Sequence, residues 1–221
     1  MPNENYELKW DQDTERFFET GIEKVALYLK TSSGYGDGVA WNGVTAINES
    51  PSGAEPTALY ANNSKYAEIV SNEDFGFTIE AYTYPDEFAA CNGEKTIVKG
   101  AVAAQQERQA FGLAYTTRVG NDVDGTGHAY KLHLIYGALA KPTEMAHNTI
   151  NDSPDIEPMS WECSTTPTEV TGMKPTSHII IDSREADSTK LTALLATIYG
   201  GSAKPKLPSP AEVITALTPS T

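Results

Sequence analysis

Residues 111–140 read FGLAYTTRVGNDVDGTGHAYKLHLIYGALA, which is two alternating arms joined by a polar segment. On the first arm, the larger apolar side chains fall on one face: Phe111, Leu113, Tyr115 and Val119. On the second arm one face is shared by Tyr130, Leu132, Leu134 and Tyr136, with Lys131 and His133 opposite. Because successive side chains of a strand point to opposite faces of a sheet, this period of two predicts a long β-hairpin.

The segment between the two arms predicts a reversal of the chain. It is rich in residues that tolerate positive φ: Asn121, Asp122, Val123, Asp124 and Gly125. Its first residues also resemble the start of a calcium loop. Such a loop needs a closing Glu at position twelve, and His133 stands there instead. We therefore interpret the segment as a hairpin turn.

Alternation predicts further strands on both sides of this central hairpin, over residues 22–30, 75–83, 96–104, 159–163 and 177–182. Residues 39–47 and 57–61 are predicted to pair as a second hairpin. The connection between these two strands is too long for a tight turn, and we expect it to be mobile in a free subunit: Asn48, Glu49, Ser50, Pro51, Ser52, Gly53, Ala54, Glu55 and Pro56. The Gly-rich residues 31–38 are expected to form a loop.

One helix is clearly predicted near the end of the chain. Asp187 is placed to cap it, and Gly200 and Gly201 are placed to end it. Its apolar residues recur at i, i+3, i+4 and i+7, so that they form one packing face: Leu191, Leu194, Leu195 and Ile198. Residues 84–93 predict a short helix, and residues 211–217 a last short turn. Mostly strands with one packing helix predict a mainly β fold, all-β or α+β.

Length and composition indicate an ordinary folded protein. The 221 residues fit one domain with extensions, which we divide into an N-terminal arm (1–21), a β domain (22–201) and a short C-terminal extension (202–221). The net charge of −14 should repel DNA on average. The alternative interpretation is that this charge only keeps the protein soluble. We find neither a signal peptide nor a membrane-spanning run, so we expect synthesis in a cytoplasm and no membrane partner.

No motif predicts catalysis, a cofactor or a metal site. Cys91 and Cys163 lack C-x-x-C spacing. The four histidines are scattered, and none has the spacing of a metal-ligand motif. Carboxylate pairs such as Asp86 with Glu87, or Glu49 with Glu55, are expected by chance among 30 acidic residues. Since both arms of the central hairpin exceed the usual strand of about five or six residues, a structural role is favoured over an enzyme.

Four segments, in order, resemble the major tail protein of long-tailed bacteriophages, the subunit of the tail tube. They are AWNGVT (40–45), FGFTIEAYTYP (75–85), the central hairpin, and KPTS…IIIDS (174–183) with the Leu-rich helix that follows. The resemblance runs from about residue 20 to residue 201, and it is greatest to the tubes of noncontractile tails.

This resemblance implies a fold and a function. Members of the family form an antiparallel β-sandwich or half-barrel with long hairpins, flanked by one α-helix. Six subunits form a ring, and rings stack into a tube around the tape measure protein. The tail terminator and the baseplate or distal tail proteins cap the tube, and DNA passes through the lumen without specific binding. The resemblance thus implies a structural virion protein of the tail, assembled in the host bacterial cytoplasm, without catalytic residues or cofactor.

The residues themselves are compatible with this interpretation. Long unpaired edge strands are an aggregation hazard in a monomer, and closing them into a ring removes the edges. The nine residues 48–56, residues 31–38 and the N-terminal arm are candidates for contact between rings. The acidic surplus predicts a negative lumen that does not retain DNA.

Two alternatives from other classes stay open. The first is a monomeric carbohydrate-binding or adhesin-like β-sandwich. Its surface aromatic residues would be drawn from a set of six candidates: Tyr28, Trp41, Tyr60, Tyr66, Tyr82 and Tyr84. The second is a hydrolase that uses one of the carboxylate pairs. Rings or hollow tubes in negative-stain micrographs would favour the tail tube, whereas loss of turnover in an acid-to-amide variant would favour the enzyme.

Overall fold

The computed structural model describes residues 8–145, 147, 149 and 156–218. Within these residues the chain forms strands β1 (Phe18–Thr31), β2 (Gly34–Ala40), β3 (Val44–Glu49), β4 (Ser52–Gly53), β5 (Pro56–Ala61), β6 (Ser64–Val70), β7 (Glu73–Asp74) and β8 (Gly76–Ala81). A 3₁₀ helix (Asp86–Ala90) precedes β9 (Lys95–Val98), β10 (Ala101–Ala103), β11 (Phe111–Asn121), β12 (Gly125–Ala140), β13 (Met159–Thr165) and β14 (His178–Asp182). Two helices follow, α1 (Ser188–Tyr199) and α2 (Pro210–Leu217).

The central hairpin β11–β12 organises one large antiparallel sheet. Its strand order is β2-β1-β11-β12-β13-β8-β3, and β14 pairs with β12 beside this path. Lys131–Ile135 of β12 pair with β14, whereas Ala138–Ala140 pair with β13. Between these two segments lies Gly137 with φ 62°, where a Cβ would stand 2.3 Å from the carbonyl oxygen of Thr166. Glycine is therefore required at the point where the long strand changes its partner.

Two apolar clusters fill the two faces of the central strands. One lies between the central strands and β8, β13 and the 3₁₀ helix, and its largest side chains are Trp41, Phe77, Phe88, Phe111 and Trp161. The other lies under the helices, where Leu134 and Tyr136 of the sheet meet Leu194 and Ile198 of α1. The fold is thus a mainly β, antiparallel sandwich, as the sequence predicts.

Both helices are capped by side chains and contribute to the second cluster. Asp187 Oδ1 accepts hydrogen bonds from the backbone N–H groups of Thr189 and Lys190 at 3.0 Å, which confirms the predicted cap of α1. Ser209 and Glu212 form a capping box at the start of α2. The prediction of a single flanking helix is wrong in this respect: the predicted short turn at 211–217 is a second helix, with Val213 buried.

The structure corrects the predictions for the first part of the chain. Most of the predicted loop 31–38 is a strand: β2 begins at Gly34, continues through Ala40 and pairs with β1. The predicted hairpin of residues 39–47 with 57–61 does not exist, because β3 pairs with β8 and β5 pairs with β6. The predicted strand 96–104 is a small hairpin of β9 and β10 that turns near Gly100, with φ 85°.

The ends of the chain are also more integrated than the predicted arm and extension. Strand β1 begins at Phe18 and not at residue 22, and Phe18 pairs with Gly120. Leu207, within the predicted extension, is buried in the second cluster. Residues 1–7 of the predicted arm and 219–221 of the extension lie outside the described residues.

Candidate functional site

The strands β5 and β6 form a hairpin, Pro56–Val70, that we call the hairpin arm. Among the described residues its strands form a separate two-stranded sheet and pair with each other alone. Its larger apolar side chains are exposed: Leu59, Tyr60, Tyr66, Ile69 and Val70. Tyr60 and Tyr66 retain 73% and 77% of their accessible surface, so this arm offers apolar surface that the rest of the described chain does not cover.

A second exposed hairpin, Lys95–Ala103, consists of β9 and β10. It also forms a sheet of its own within the described residues. Ile97, Val98 and Val102 are exposed at 68%, 62% and 52%. Two separate hairpins thus present β-branched and aromatic side chains to solvent, which is unusual for a sheet that serves only its own core.

The outer strands of the main sheet differ in how they are protected. At one end, β2 forms an isolated bridge between Asp37 and Lys206, and Lys204 pairs with the Asp37 carboxylate. Charged groups on an edge strand oppose pairing with another chain. At the other end of the order lies β3, whose pairing among the described residues is with β8. On strand pairing, β3 is thus an edge strand of the main sheet.

The nine residues predicted as a connecting loop, 48–56, form the root of the hairpin arm. Asn48 and Glu49 end β3, Ser52–Gly53 pair with Glu73–Asp74, and Pro56 begins β5. The backbone N–H of Ser50 donates to Gly76 O at 2.8 Å. The predicted connection is therefore partly paired, and it does not join two strands of one hairpin. All of these residues except Ala54 are exposed, and their contact with a neighbouring ring stays a prediction.

The root of the arm brings Glu49 into a cluster with two histidines. His133 Nδ1 lies 3.1 Å from His178 Nε2. Glu49 Oε1 lies 3.7 Å from the first of these atoms and 3.8 Å from the second. His133 is on β12 and His178 on its neighbour β14, whereas Glu49 reaches them from β3. We call these three residues the Glu–His cluster.

Two neighbouring hydroxyl groups orient the Glu–His cluster. The Tyr115 hydroxyl donates to Glu49 Oε1 at 2.9 Å. Thr117 Oγ1 donates to Glu19 Oε1 at 2.6 Å and lies 3.0 Å from His133 Nε2. Because the single hydroxyl proton of Thr117 points to Glu19, its oxygen accepts from His133. This arrangement places the imidazole proton on Nε2 and leaves the Nδ1 lone pair directed at His178.

Burial keeps both histidines neutral. It lowers the pKa of His133 to about 4, and repulsion from His178 acts in the same direction. Burial also lowers the pKa of His178. The contacts with Glu49 are therefore between a carboxylate and neutral imidazoles, not ion pairs. Burial, followed by the charge of Glu49, raises the pKa of Tyr115, so its phenol stays protonated as a donor.

A cleft of about 940 Å³ opens beside the cluster and is lined by Glu49 and His178. Its lining includes three further carboxylates, Glu73, Asp74 and Glu169, and one ammonium group, Lys174. The Ser177 hydroxyl, in the same lining, is buried and has no hydrogen-bond partner among the described residues. The excess of carboxylates in this lining favours cations.

The other predicted site residues lie where the sequence places them. Asn121, Asp122, Val123, Asp124 and Gly125 form the tight turn of the central hairpin, in which Asn121 Oδ1 accepts from the Asp124 N–H at 2.5 Å. On α1, the packing face is buried at Leu191, Leu194 and Ile198 and half-buried at Leu195. These residues serve the fold: the turn reverses the central hairpin, and the α1 face packs on the sheet.

Sequence reasoning missed the Glu–His cluster. His133 and His178 are 45 residues apart, and Glu49 lies further away still on a strand whose partner was wrongly predicted. The one available signal was the presence of His133 within a predicted strand of the central hairpin.

Comparison with known proteins finds no family model that matches the chain and no matching curated protein. In the part of the chain that the structure describes, no helix has the length and apolar character needed to cross a membrane.

Proposed function

We propose that this protein is a phage tail tube subunit, a structural virion protein that assembles into hexameric rings. The rings stack into the conduit through which the genome leaves the particle. In this proposal the subunit contacts further copies of itself, the tape measure protein inside the tube, and terminator and baseplate proteins at its ends. The proposal rests on the resemblance of the four segments described above and on the physical features below.

The hairpin arm is the observation that supports the proposal most directly. It carries five exposed apolar side chains, and its strands pair with no other strand of the described chain. A surface of this kind is costly in a monomer, and it is explained if the arm lies against another copy of the subunit. A repeated contact of unlike surfaces closes into a ring or extends as a filament.

The mainly β fold supports the same conclusion. A large sheet that ends in an edge strand, such as β3, can extend its backbone hydrogen bonding across subunits. The hairpin β9–β10 offers a second apolar surface on the same subunit. A tube requires at least two kinds of contact, one within a ring and one between rings.

Size-exclusion chromatography with light scattering, followed by negative-stain microscopy of the concentrated full chain, tests the proposal. We expect rings or hollow tubes with sixfold symmetry, in equilibrium with subunits. The double variant Tyr60→Ser/Tyr66→Ser is expected to remain folded and to lose these assemblies. A strictly monomeric wild type that binds oligosaccharides through the same tyrosines would instead support the carbohydrate-binding alternative.

A further inference from the structure

We infer that Glu49, His133 and His178 form a binding site for one divalent transition-metal ion, with zinc as the ion that fits best. The three potential ligand atoms lie within 4.8 Å of one another. The inference concerns the single subunit and does not depend on the proposed assembly.

The spacing of the three ligand atoms fits a metal centre. Their separations are 3.1, 3.7 and 3.8 Å. A point equidistant from all three lies about 2.1 Å from each, which is the distance at which zinc binds imidazole nitrogen and carboxylate oxygen. Two nitrogens and one carboxylate oxygen also form a zinc ligand set with an open fourth position. The cleft is lined by two of the three ligands, Glu49 and His178, so water could reach an ion held there.

The neighbouring residues orient the ligands as they do around a metal. The Thr117–Glu19 pair holds the proton of His133 on Nε2, so the lone pair of Nδ1 is free to coordinate a metal ion. Support of a ligating histidine by a polar group on its other nitrogen is typical of metal sites. The Tyr115 hydroxyl restrains the Glu49 carboxylate in the same way.

Metal binding requires one tautomer change and no net loss of a proton. Without metal, His133 Nδ1 is an acceptor, so the proton between the two rings belongs to His178 Nε2. When a cation binds, that proton moves to Nδ1 of His178, and both nitrogens that face the site become ligands. Both imidazoles are then neutral, which is the form that binds metal.

The consequence of binding is mechanical. Glu49 ends β3 at the root of the hairpin arm, whereas His133 and His178 lie on β12 and β14 of the central sheet. A bound ion would fasten the root of the arm to the sheet. We therefore expect metal to stabilise the fold and to restrict the arm.

Titration of the chelator-treated full chain with Co²⁺ and Zn²⁺ tests the inference. We expect one ion per chain, the visible absorption bands of a four- or five-coordinate cobalt site, and displacement of cobalt by zinc. Mg²⁺ should not compete, because it prefers oxygen ligands in octahedral geometry. Zinc should also raise the thermal unfolding temperature of the wild type, since a ligand that binds only the native state stabilises it.

Matched variants locate the site. His178→Gln and Glu49→Gln each remove one ligand and should weaken binding by more than the roughly 10- to 100-fold that loss of an orienting group costs. His128→Gln and Glu55→Gln change the same residue types outside the cluster and should bind as the wild type does. Circular dichroism and metal-free unfolding establish that each variant is folded.

Several results would overturn the inference. The first is binding to the wild type that does not saturate at one ion per chain. The second is a cobalt spectrum typical of the octahedral aqua ion. The third is equal metal affinity in the cluster variants and in their controls. Tyr115→Phe provides a second measurement that leaves all three ligands in place. It should weaken binding by about 10-fold if Glu49 is a ligand, and an unchanged affinity would count against the site.

Discussion

Tyr115 and His133 lie directly opposite each other on β11 and β12, and their rings stack with centroids 4.6 Å apart and planes 5° apart. The same tyrosine donates its hydroxyl proton to Glu49 on β3. His133 in turn contacts His178 on β14. This pair of rings thus joins the central hairpin to both the arm root and the neighbouring strand, which links folding of the sheet to placement of the arm.

Tyr115→Phe separates the stacking of this ring from its hydrogen bond. The substitution keeps the aromatic pair but leaves Glu49 without its donor, so we expect the free energy of unfolding to fall by about 1–2 kcal/mol. Urea unfolding in metal-free buffer measures this loss. Tyr60→Phe, on the exposed arm, should change stability by less than about 0.5 kcal/mol. Equal effects of the two substitutions would show that the Tyr115 hydroxyl contributes nothing.

Local periodicity made part of the fold predictable from sequence. The central hairpin, its turn and α1 each bury a face that repeats within a few residues, so the pattern and the structure agree at Leu113, Leu134 and Leu194. The same holds for the cap at Asp187, whose hydrogen bonds are entirely local. Such elements need no knowledge of which distant strand they contact.

The remaining elements depend on long-range pairing. Strand β2 was not predicted because residues 34–40 are rich in glycine, which is typical of loops. Its extended conformation is imposed by pairing with β1. Strand β3 pairs with β8 across the intervening hairpin arm, and no local signal distinguishes this partner from β5. The Glu–His cluster could not be predicted for the same reason, because Glu49 lies near His178 only when β3 is paired with β8.

Leu194→Ala tests the packing of α1 on the sheet. Leu194 is 3% exposed within the second apolar cluster, so truncation should lower the free energy of unfolding by about 2–5 kcal/mol. Leu139→Ala removes the same atoms from a side chain on β12 that is 40% exposed, and it should cost clearly less. Chemical unfolding of both variants gives the comparison. A smaller loss for Leu194→Ala than for its control would contradict the assigned packing face.

The capping box of α2 predicts a dependence of stability on pH. The hydrogen bond from the Ser209 backbone N–H, followed by that from Lys206, lowers the pKa of Glu212 below its ordinary value of 4.5. A lowered pKa in the folded state stabilises the protein above pH 4.5, and this stabilisation is lost as the pH falls through the folded-state pKa. Because Glu212 is largely exposed, we expect at most about 1 kcal/mol.

Glu212→Gln should remove this contribution. Thermal unfolding between pH 7 and pH 3 should show the wild type more stable than the variant at pH 7, with the difference shrinking as the pH falls. Glu107→Gln, at an exposed position, serves as the control and should follow the wild type throughout. A constant difference between wild type and Glu212→Gln across this range would refute the predicted role of the carboxylate charge.

The exposed face of the hairpin arm is expected to act in assembly and not in folding. Ile69→Ser should leave the free energy of unfolding within about 0.5 kcal/mol, because Ile69 is 57% exposed, yet it should raise the concentration needed for assembly. Met173→Ser changes a side chain that is 73% exposed outside both hairpins and serves as the control. Light scattering against concentration measures the effect. Identical assembly of both variants and the wild type would exclude the arm from the interface.

If the protein forms the proposed tube, the charge of the chain predicts the character of the inner wall. With 30 acidic and 16 basic residues, the chain carries an excess of carboxylates that would be distributed between the lumen, the outer surface and the interfaces. DNA phosphates that come within a Debye screening length of about 8 Å of the wall are attracted by basic side chains and repelled by acidic ones. We therefore expect Asp and Glu to outnumber Lys and Arg on the lumen surface. A cryo-electron microscopy map of the assembled tube measures this directly, and a basic lumen would contradict the proposed passage of DNA without binding.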